Sequence, residues 1–370
     1  MNGFIGNTDY VNMPAQKYYA PPNSWSAEKK KDTARSRIFS GTWYGAWKKD
    51  GYFERFVKDE EGNMFLVARS KNVKGEYPDK IEWVPQLNSF FESVPNGSCF
   101  LGEVYLPNNE GSKNTTSILG CLKEKAIARQ EKNEFLHYYI FDVLAWDGEE
   151  VYEKPFLERL TYLEGIREHT SANPNPYIEV AKYYTGEELW NTLQNILASG
   201  GEGMVIVNGE SPYKPDKRSV KDTLKIKQEL KQTIDCIVMG ANPPTKNYTG
   251  KDIENWTYWH NARTGEFLNA KKYKEYSLGE PLEPVTKNFF NNWAGSLKIG
   301  LVRNDKVEYF GDLSGLTEEV LENWKNYVGK VCEVGGMSID KESGHIRHPR
   351  FMGWRDDKEP RDCGWEQIYE

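Results

Sequence analysis

The stretch GAWKKDGYFERF, residues 45–56, ends an aromatic run in Lys48-Lys49-Asp50-Gly51. Four such residues suit a solvated turn, or they seat a lysine that makes a covalent bond. A free lysine amine titrates near about 10.4 and is almost all ammonium at neutral pH. Desolvation and neighbouring cations lower that value and free the lone pair. A nucleoside triphosphate would bring both conditions, because further lysines and a metal must gather around its phosphates. The reading of Lys48 therefore turns on whether the rest of the chain supplies those partners.

The bulk composition sets the frame. The chain has 370 residues, 38% hydrophobic and 14% aromatic, which supports packed cores in roughly two domains. A net charge of −7 excludes a uniformly basic coat for nucleic acid but leaves room for a local basic groove. No run of 18 apolar residues occurs, so no membrane association is expected. The N-terminal MNGFIGNTDYVNMPAQKYYAPPNSW lacks the basic-then-apolar pattern of a signal peptide. Cys99, Cys121, Cys236, Cys332 and Cys363 are scattered and odd in number. They read as reduced thiols of an intracellular protein, and no His/Cys cluster has zinc-site spacing.

Along the chain, residues 1–36 read as an arm broken at Pro21-Pro22, with Glu28 to Asp32 a solvated charged run. FSGTWYGAW, MFLVARS, CFLGEVYL and HYYIFDVLAW read as strands, the last ending in the turn Asp147-Gly148. Pro155 suits the first turn of a helix through FLERLTYLEGI. TGEELWNTLQNILASGG is the clearest helix. Thr185 and Glu188 are placed for a capping box, Leu189, Leu193, Ile196 and Leu197 share a face, and Gly200 ends it. GMVIVNG and DTLKIKQ follow as strands. The pattern is α+β with mixed or antiparallel sheets. Near residue 231 it changes to short strands (TIDCIVMGAN, SLKIGLV, KVEYFGD, KVCEVGGMSID) around one helix over 317–327, which suggests an OB-fold β-barrel over 231–370.

Further motifs follow Lys48 in a fixed order. Glu103 closes a strand in FLGEVY, Phe141 lies in YYIFDVLAWDG, and Glu202-Gly203 sits in GGEGMVIV. Lys225 and Lys227 stand in TLKIKQ, and Arg355-Asp356-Asp357-Lys358 lies near the end. Together these six resemble the covalent nucleotidyltransferases, which comprise ATP-dependent DNA ligases, RNA ligases and mRNA capping enzymes. Within that superfamily IRHPRFMGWRDDKEP and KQTIDCIVMG are most similar to ATP-dependent DNA ligases of the compact viral and bacterial type. The resemblance covers about residues 40–362 and is poor over 245–295. It implies an adenylation (nucleotidyltransferase) domain over 37–230, followed by the OB domain.

The resemblance also implies roles. Lys48 would take AMP from ATP, flanked by Trp47, Asp50 and Gly51 of its motif. Lys225 and Lys227 alternate around Ile226, so in a strand both face one way and can neutralise phosphates. Glu103 and Glu202 are candidate Mg²⁺ ligands. Phe141 would stack on the purine, with Tyr139 on the same face as the alternative. Arg69 would meet phosphate, and Arg355 and Lys358 would act on pyrophosphate when the OB domain closes. Three positions depart from the family. Phe53 stands where an arginine is usual, and Arg55, two residues on, is the expected substitute. Ala46 stands where an acidic residue is usual, and Val207 where a lysine is.

The expected activity is sealing of nicked double-stranded DNA, with ATP and Mg²⁺, by a monomer in the cytoplasm of a bacterium or a virus-infected cell. YKPDKRSVKDTLKIK and RSKNVKG would line the DNA-binding face. The same lysine chemistry also serves RNA ligases and GTP-dependent capping guanylyltransferases. A non-catalytic nucleic-acid binder that stacks bases on its tryptophans and tyrosines is the alternative from another class.

Overall fold

The computed structural model describes residues 3–22, 25–72, 74–107, 112–227, 233–250, 253–270, 281–340 and 343–369. The chain divides into two compact units, Met1–Gln228 and Glu229–Glu370.

Two sheets organise the first unit. One runs in the order Met64–Ala68, Tyr52–Lys58, Ser98–Tyr105, His137–Trp146 and Glu149–Glu150, all antiparallel. Ile178–Val180 adds to it parallel to His137–Trp146. The other runs Tyr184–Thr185, Trp43–Trp47, Gly203–Asn208 and Thr223–Lys227, again antiparallel. The α+β class with antiparallel sheets is as expected from the sequence. His137–Trp146 occupies the whole apolar run read as a strand. Its turn residues Asp147 and Gly148 both take positive φ, 51° and 78°, the geometry that matches strand twist in a tight hairpin.

The larger sheet is buried on both faces. Phe56, Phe100, Tyr138 and Ile140 pack with Phe90, Phe91, Leu163 and Ile166 on one side, where the Phe56 and Phe91 rings stack at 4.1 Å. Val57, Val67, Cys99 and Leu101 face the other side. There the cover comes from the N-terminus, through Ile5, Tyr10, Val11 and Met13, each burial worth about 1.5–3 kcal/mol for such side chains. Ile5, Tyr10, Val11 and Met13, within the stretch read as an arm, are thus part of the core. Phe4–Ile5 and Thr8–Asp9 form a small hairpin. Ala27–Ile38 is a helix whose N-cap Ser26 accepts from Lys29 N. It buries Ala34 and Ile38 against Trp43 and Leu189 and turns Lys29, Lys31 and Asp32 to solvent. A charged run hid this helix, because among its residues of described burial only Ala34 and Ile38 are buried.

Gly186–Ala198 is the expected amphipathic helix, with Leu189, Leu193 and Ile196 buried. The capping box does not form. Thr185 belongs to a strand paired with Trp43–Trp47, and its hydroxyl donates to Trp43 O at 3.2 Å. Strand pairing has taken the side chain that would have capped the helix.

In the second unit five antiparallel strands run in the order Lys306–Leu313, Ser296–Arg303, Ile234–Asn242, Val331–Gly335 and Arg350–Trp354. Bulges fall between Val238 and Gly240, Ile299 and Gly300, and Glu333 and Val334, and such bulges bend and twist a sheet. The helix read over 317–327 is a short helix, Glu318–Glu322, then a 3₁₀ turn, Trp324–Tyr327. A further three-stranded sheet, Phe267–Asn269, Tyr258–Asn261 and Leu282–Pro284, occupies the stretch where the family resemblance is poor. Nothing in the sequence reading anticipated it.

One buried group in the larger sheet strains the fold. Glu54 is wholly buried, and neither carboxylate oxygen has a hydrogen-bond partner among the described residues. Burial pushes its carboxyl well above the usual range, with Lys80 opposing. The folded value lies above the unfolded one, so this group's contribution to stability falls as pH rises past the unfolded value of about 4.3. Glu54→Gln is therefore expected to raise stability at about pH 8 by more than about 1 kcal/mol and to change it little at about pH 4.5. Urea unfolding at the two pH values tests this, and an equal gain at both would refute it.

Candidate active site

The two sheets of the first unit meet where the chain passes from one to the other. Trp43–Trp47 belongs to the smaller sheet and Tyr52–Lys58 to the larger, so Lys48 to Gly51 is the crossing. Lys48 N donates to Gly203 O at 2.9 Å, which continues the pairing of Trp47 with Met204. That register sets Lys48 beside Glu202. The Lys48 Nζ donates to Glu202 Oε2 at 2.5 Å, and Lys227 Nζ reaches Glu202 Oε1 at 3.2 Å. One buried carboxylate thus lies between two lysines. Gly203 pairs with Lys227, and Val205 with Lys225. Gly203 has φ +129°, and a side chain there would meet Ile226 O at 2.0 Å. Only glycine fits this position. A side chain at Gly51 would likewise lie 2.2 Å from Val104 O.

A cavity of about 290 Å³ opens beside Lys48. Lys225, Arg69 and Glu103 line it together with Lys48. Desolvation depresses the Lys225 ammonium to about 8, helped by Lys48, Arg69 and Lys227. Burial pushes Glu103 up to about 7, with Lys48 opposing and Glu202 adding to the rise. Two carboxylates therefore stand close enough to repel, one of them held near neutrality by burial. That arrangement suits a divalent cation, which would draw Glu103 into its charged form. Among the described residues no group of three or more His, Cys, Asp or Glu side chains is placed to hold a metal by itself.

The rest of the cavity is aromatic and aliphatic. Tyr139 and Phe141 face it from alternate positions of one strand, as the sequence predicts, and Tyr18, Phe53 and Tyr183 join them. The Tyr183 hydroxyl donates to Phe141 O at 2.7 Å. Phe53 lies tilted on Phe141 at 6.2 Å, and Tyr18 meets it edge-on at 6.4 Å. The three departures from the family pattern, Ala46, Phe53 and Val207, all line this space. Tyr18 and Tyr183 were not read as site residues. They come from segments far apart in the chain, and neither carries a local motif.

The structure separates the two adjacent lysines. Lys49 turns to Glu179 at 3.2 Å and lies over Trp47, Tyr105 and Tyr139 at 4.3, 4.5 and 5.2 Å. Trp47 and Gly51 line the cavity, whereas Asp50 does not and acts on Glu103 by raising its pKa. Arg55 needs correction. It was expected to supply the charge missing at Phe53, but it is buried, with Nη1 donating to Met13 O at 2.6 Å and Nη2 to Val11 O at 3.1 Å. The N-terminal segment covers that part of the face, so Arg55 fixes backbone and does not reach the cavity. Arg355 and Lys358 lie in the second unit. Arg355 donates to Asp235 at 3.0 Å and to Asp357 at 2.8 Å, and Lys358 stands 4.0 Å from Asp235. Among the described residues no helix is long and apolar enough to cross a membrane.

Known proteins resemble this chain in sequence and in fold. DNA ligases of Saccharolobus islandicus (strain L.S.2.15 / Lassen #1) and Saccharolobus solfataricus (strain P2) are each 23% identical over 335 and 340 residues. These matches cover 86% of this chain and 53% of each relative, so the chain spans about half the length of the curated relatives it matches. A solved Lig E DNA ligase, described as binding DNA with a minimal scaffold, covers 93% of this chain and 98% of its own. Its TM-score of 0.56 at 18% identity shows a shared fold. The family model for the ATP dependent DNA ligase domain matches residues 27–227, more than half of the chain and all of the cavity except Tyr18. The chain belongs to the ATP-dependent DNA ligase family.

Proposed function

We propose that the chain is a two-domain ligase that seals nicks in double-stranded DNA through a lysine–AMP intermediate. The observation that carries this reading is the Lys48 amine, set at the cavity edge 2.5 Å from a carboxylate oxygen of Glu202. In the first step the Lys48 nitrogen attacks the α-phosphorus of ATP. A phosphorus–nitrogen bond forms, the bond to the β-phosphate oxygen breaks, and pyrophosphate leaves. Glu202 Oε2 is the nearest acceptor for the proton that the amine must lose. Next an oxygen of the 5′-phosphate at the nick displaces Lys48 from AMP. Finally the 3′-hydroxyl attacks that activated phosphate, the strand is joined and AMP departs.

The protein's part is position and charge. Lys225, Lys227 and Arg69 balance the triphosphate, and Phe141 with Tyr139 offers ring faces to the purine. Glu103 and Glu202 would hold Mg²⁺, which supplies charge neutralisation at the phosphates when bound. The domain division is placed near residue 231. The bulged five-stranded sheet of the second unit is read as an OB-type barrel, and Arg355 and Lys358 as its contribution at pyrophosphate.

Two measurements test this reading. Incubation with labelled ATP is expected to leave an AMP adduct on Lys48 that pyrophosphate removes, while Lys48→Ala neither labels itself nor seals a nicked duplex. Label from GTP alone, or joining of RNA but not DNA, would move the assignment to a capping or RNA-joining enzyme. The second concerns pH. Lys225 loses its charge above about 8, so kcat/KM for adduct formation, which reports the free enzyme, is expected to fall there. Lys225→Arg, which stays charged, is expected to remove the fall, and a decline unchanged in that variant would exclude Lys225 as its cause.

A further inference from the structure

The segment 13–19 precedes the matched family region, yet four of its seven residues, Met13, Gln16, Lys17 and Tyr19, hydrogen-bond to later parts of the chain. Met13 O accepts from Arg55 at 2.6 Å. Gln16 is buried; its N donates to the Tyr213 hydroxyl at 2.8 Å, and its Oε1 accepts from Lys214 N at 3.0 Å. Lys17 N donates to Lys217 O at 2.9 Å. Tyr19 N donates to Thr223 Oγ1 at 2.9 Å, and Tyr19 O accepts from Lys225 N at 2.8 Å. Tyr18 stands between these anchors, so its backbone is held from both sides. Its ring enters the cavity edge-on to Phe141.

The same segment touches the polar end. Gln16 O accepts from Arg69 Nη2 at 3.2 Å, and the bond from Lys225 N to Tyr19 O fixes the free edge of the strand that carries Lys225 and Lys227. One strap therefore bonds to two cation-bearing positions and presents one ring to the aromatic end. Groups fixed before binding lose little entropy when a ligand arrives, which is how such a strap raises affinity.

We propose that the segment 13–19 is a wall of the nucleotide cavity and that Tyr18 is a binding residue for the nucleoside of ATP. This rests on the reading that the cavity takes ATP. The fit is chemical. A nucleoside is a flat, apolar-faced ring on a polar sugar, and an aromatic edge set across from Phe141 closes the cavity around it. Losing an edge-on aromatic contact costs about two- to twelvefold in binding.

The test is self-adenylylation of the full chain across a range of ATP concentrations. Tyr18→Ala is expected to raise KM for ATP about tenfold while lowering the saturated rate less than about threefold. Tyr18→Phe, which keeps the ring, is expected to restore most of the loss. If Tyr18→Ala unfolds, Tyr18→Leu carries the same comparison, with KM again the quantity read. A lower saturated rate at unchanged KM would mean that Tyr18 is merely structural and would overturn the proposal. Failure of the unaltered protein to form any adduct would overturn the ligase reading and this inference with it. Normal adduct formation with KM indifferent to Tyr18 would overturn the inference alone.

Discussion

The ion pair between Lys48 and Glu202 ties the crossing segment of one strand to the approach of another. Lys48 follows Trp43–Trp47, and Glu202 precedes Gly203–Asn208. Because those strands pair directly, the register that buries Ile206 and Met204 also sets the amine against the carboxylate. A shift by one residue would send every side chain of the strand to the opposite face. The site therefore inherits its geometry from the packing of the smaller sheet. The glycine at 203, with a conformation closed to other residues, is part of the same constraint.

That pair also shapes the charge of the cavity. Glu202 is shared between Lys48 and Lys227, while Lys225 and Arg69 stand nearby without a carboxylate ion-pair partner of their own among the described residues. The cationic side chains outnumber the carboxylates. A chain that is acidic overall thus carries a local positive field, and burial strengthens it because little water screens it. The depressed Lys225 and raised Glu103 share desolvation by burial as their first cause, and the neighbouring cations add to the fall at Lys225 while Lys48 opposes the rise at Glu103. Both shifts favour the uncharged form of the group.

Much of this was legible in the sequence, the site residues through the order of motifs that resembles the family and their shared faces through periodicity. Tyr139 and Phe141, or Lys225 and Lys227, share a face because strand side chains alternate, and a sequence displays alternation directly. The helix of Leu189, Leu193 and Ile196 was equally plain. What failed depended on distant partners. Arg55 does lie on the face inferred for it, but Val11 and Met13 cover that face, and no local pattern records a cover from forty residues away. Thr185 satisfies the spacing of a capping box, yet a neighbouring strand takes its hydroxyl. The sheet formed by Tyr258–Asn261 and its partners has strands of three or four residues, too short for a period to show.

The departure at Phe53 has a physical answer on the neighbouring strand. The arginine absent at position 53 has a neighbour in Arg69, which directly follows the adjacent strand, Met64–Ala68. Glu54 pairs with Ala68, so Phe53 and Arg69 are brought side by side. The Arg69 guanidinium lies 5.6 Å from the centre of the Phe53 ring, a contact worth about 0.5–1 kcal/mol where water still reaches it. Gln16 O takes one of its hydrogens at 3.2 Å. The ring thus serves as the floor on which the cation rests, and the positive charge enters the cavity from the neighbouring strand. An arginine at 53 would bring a second guanidinium against the first and repel it. Phe53 and Arg69 are thus joined across paired strands, and neither position is intelligible from its own strand.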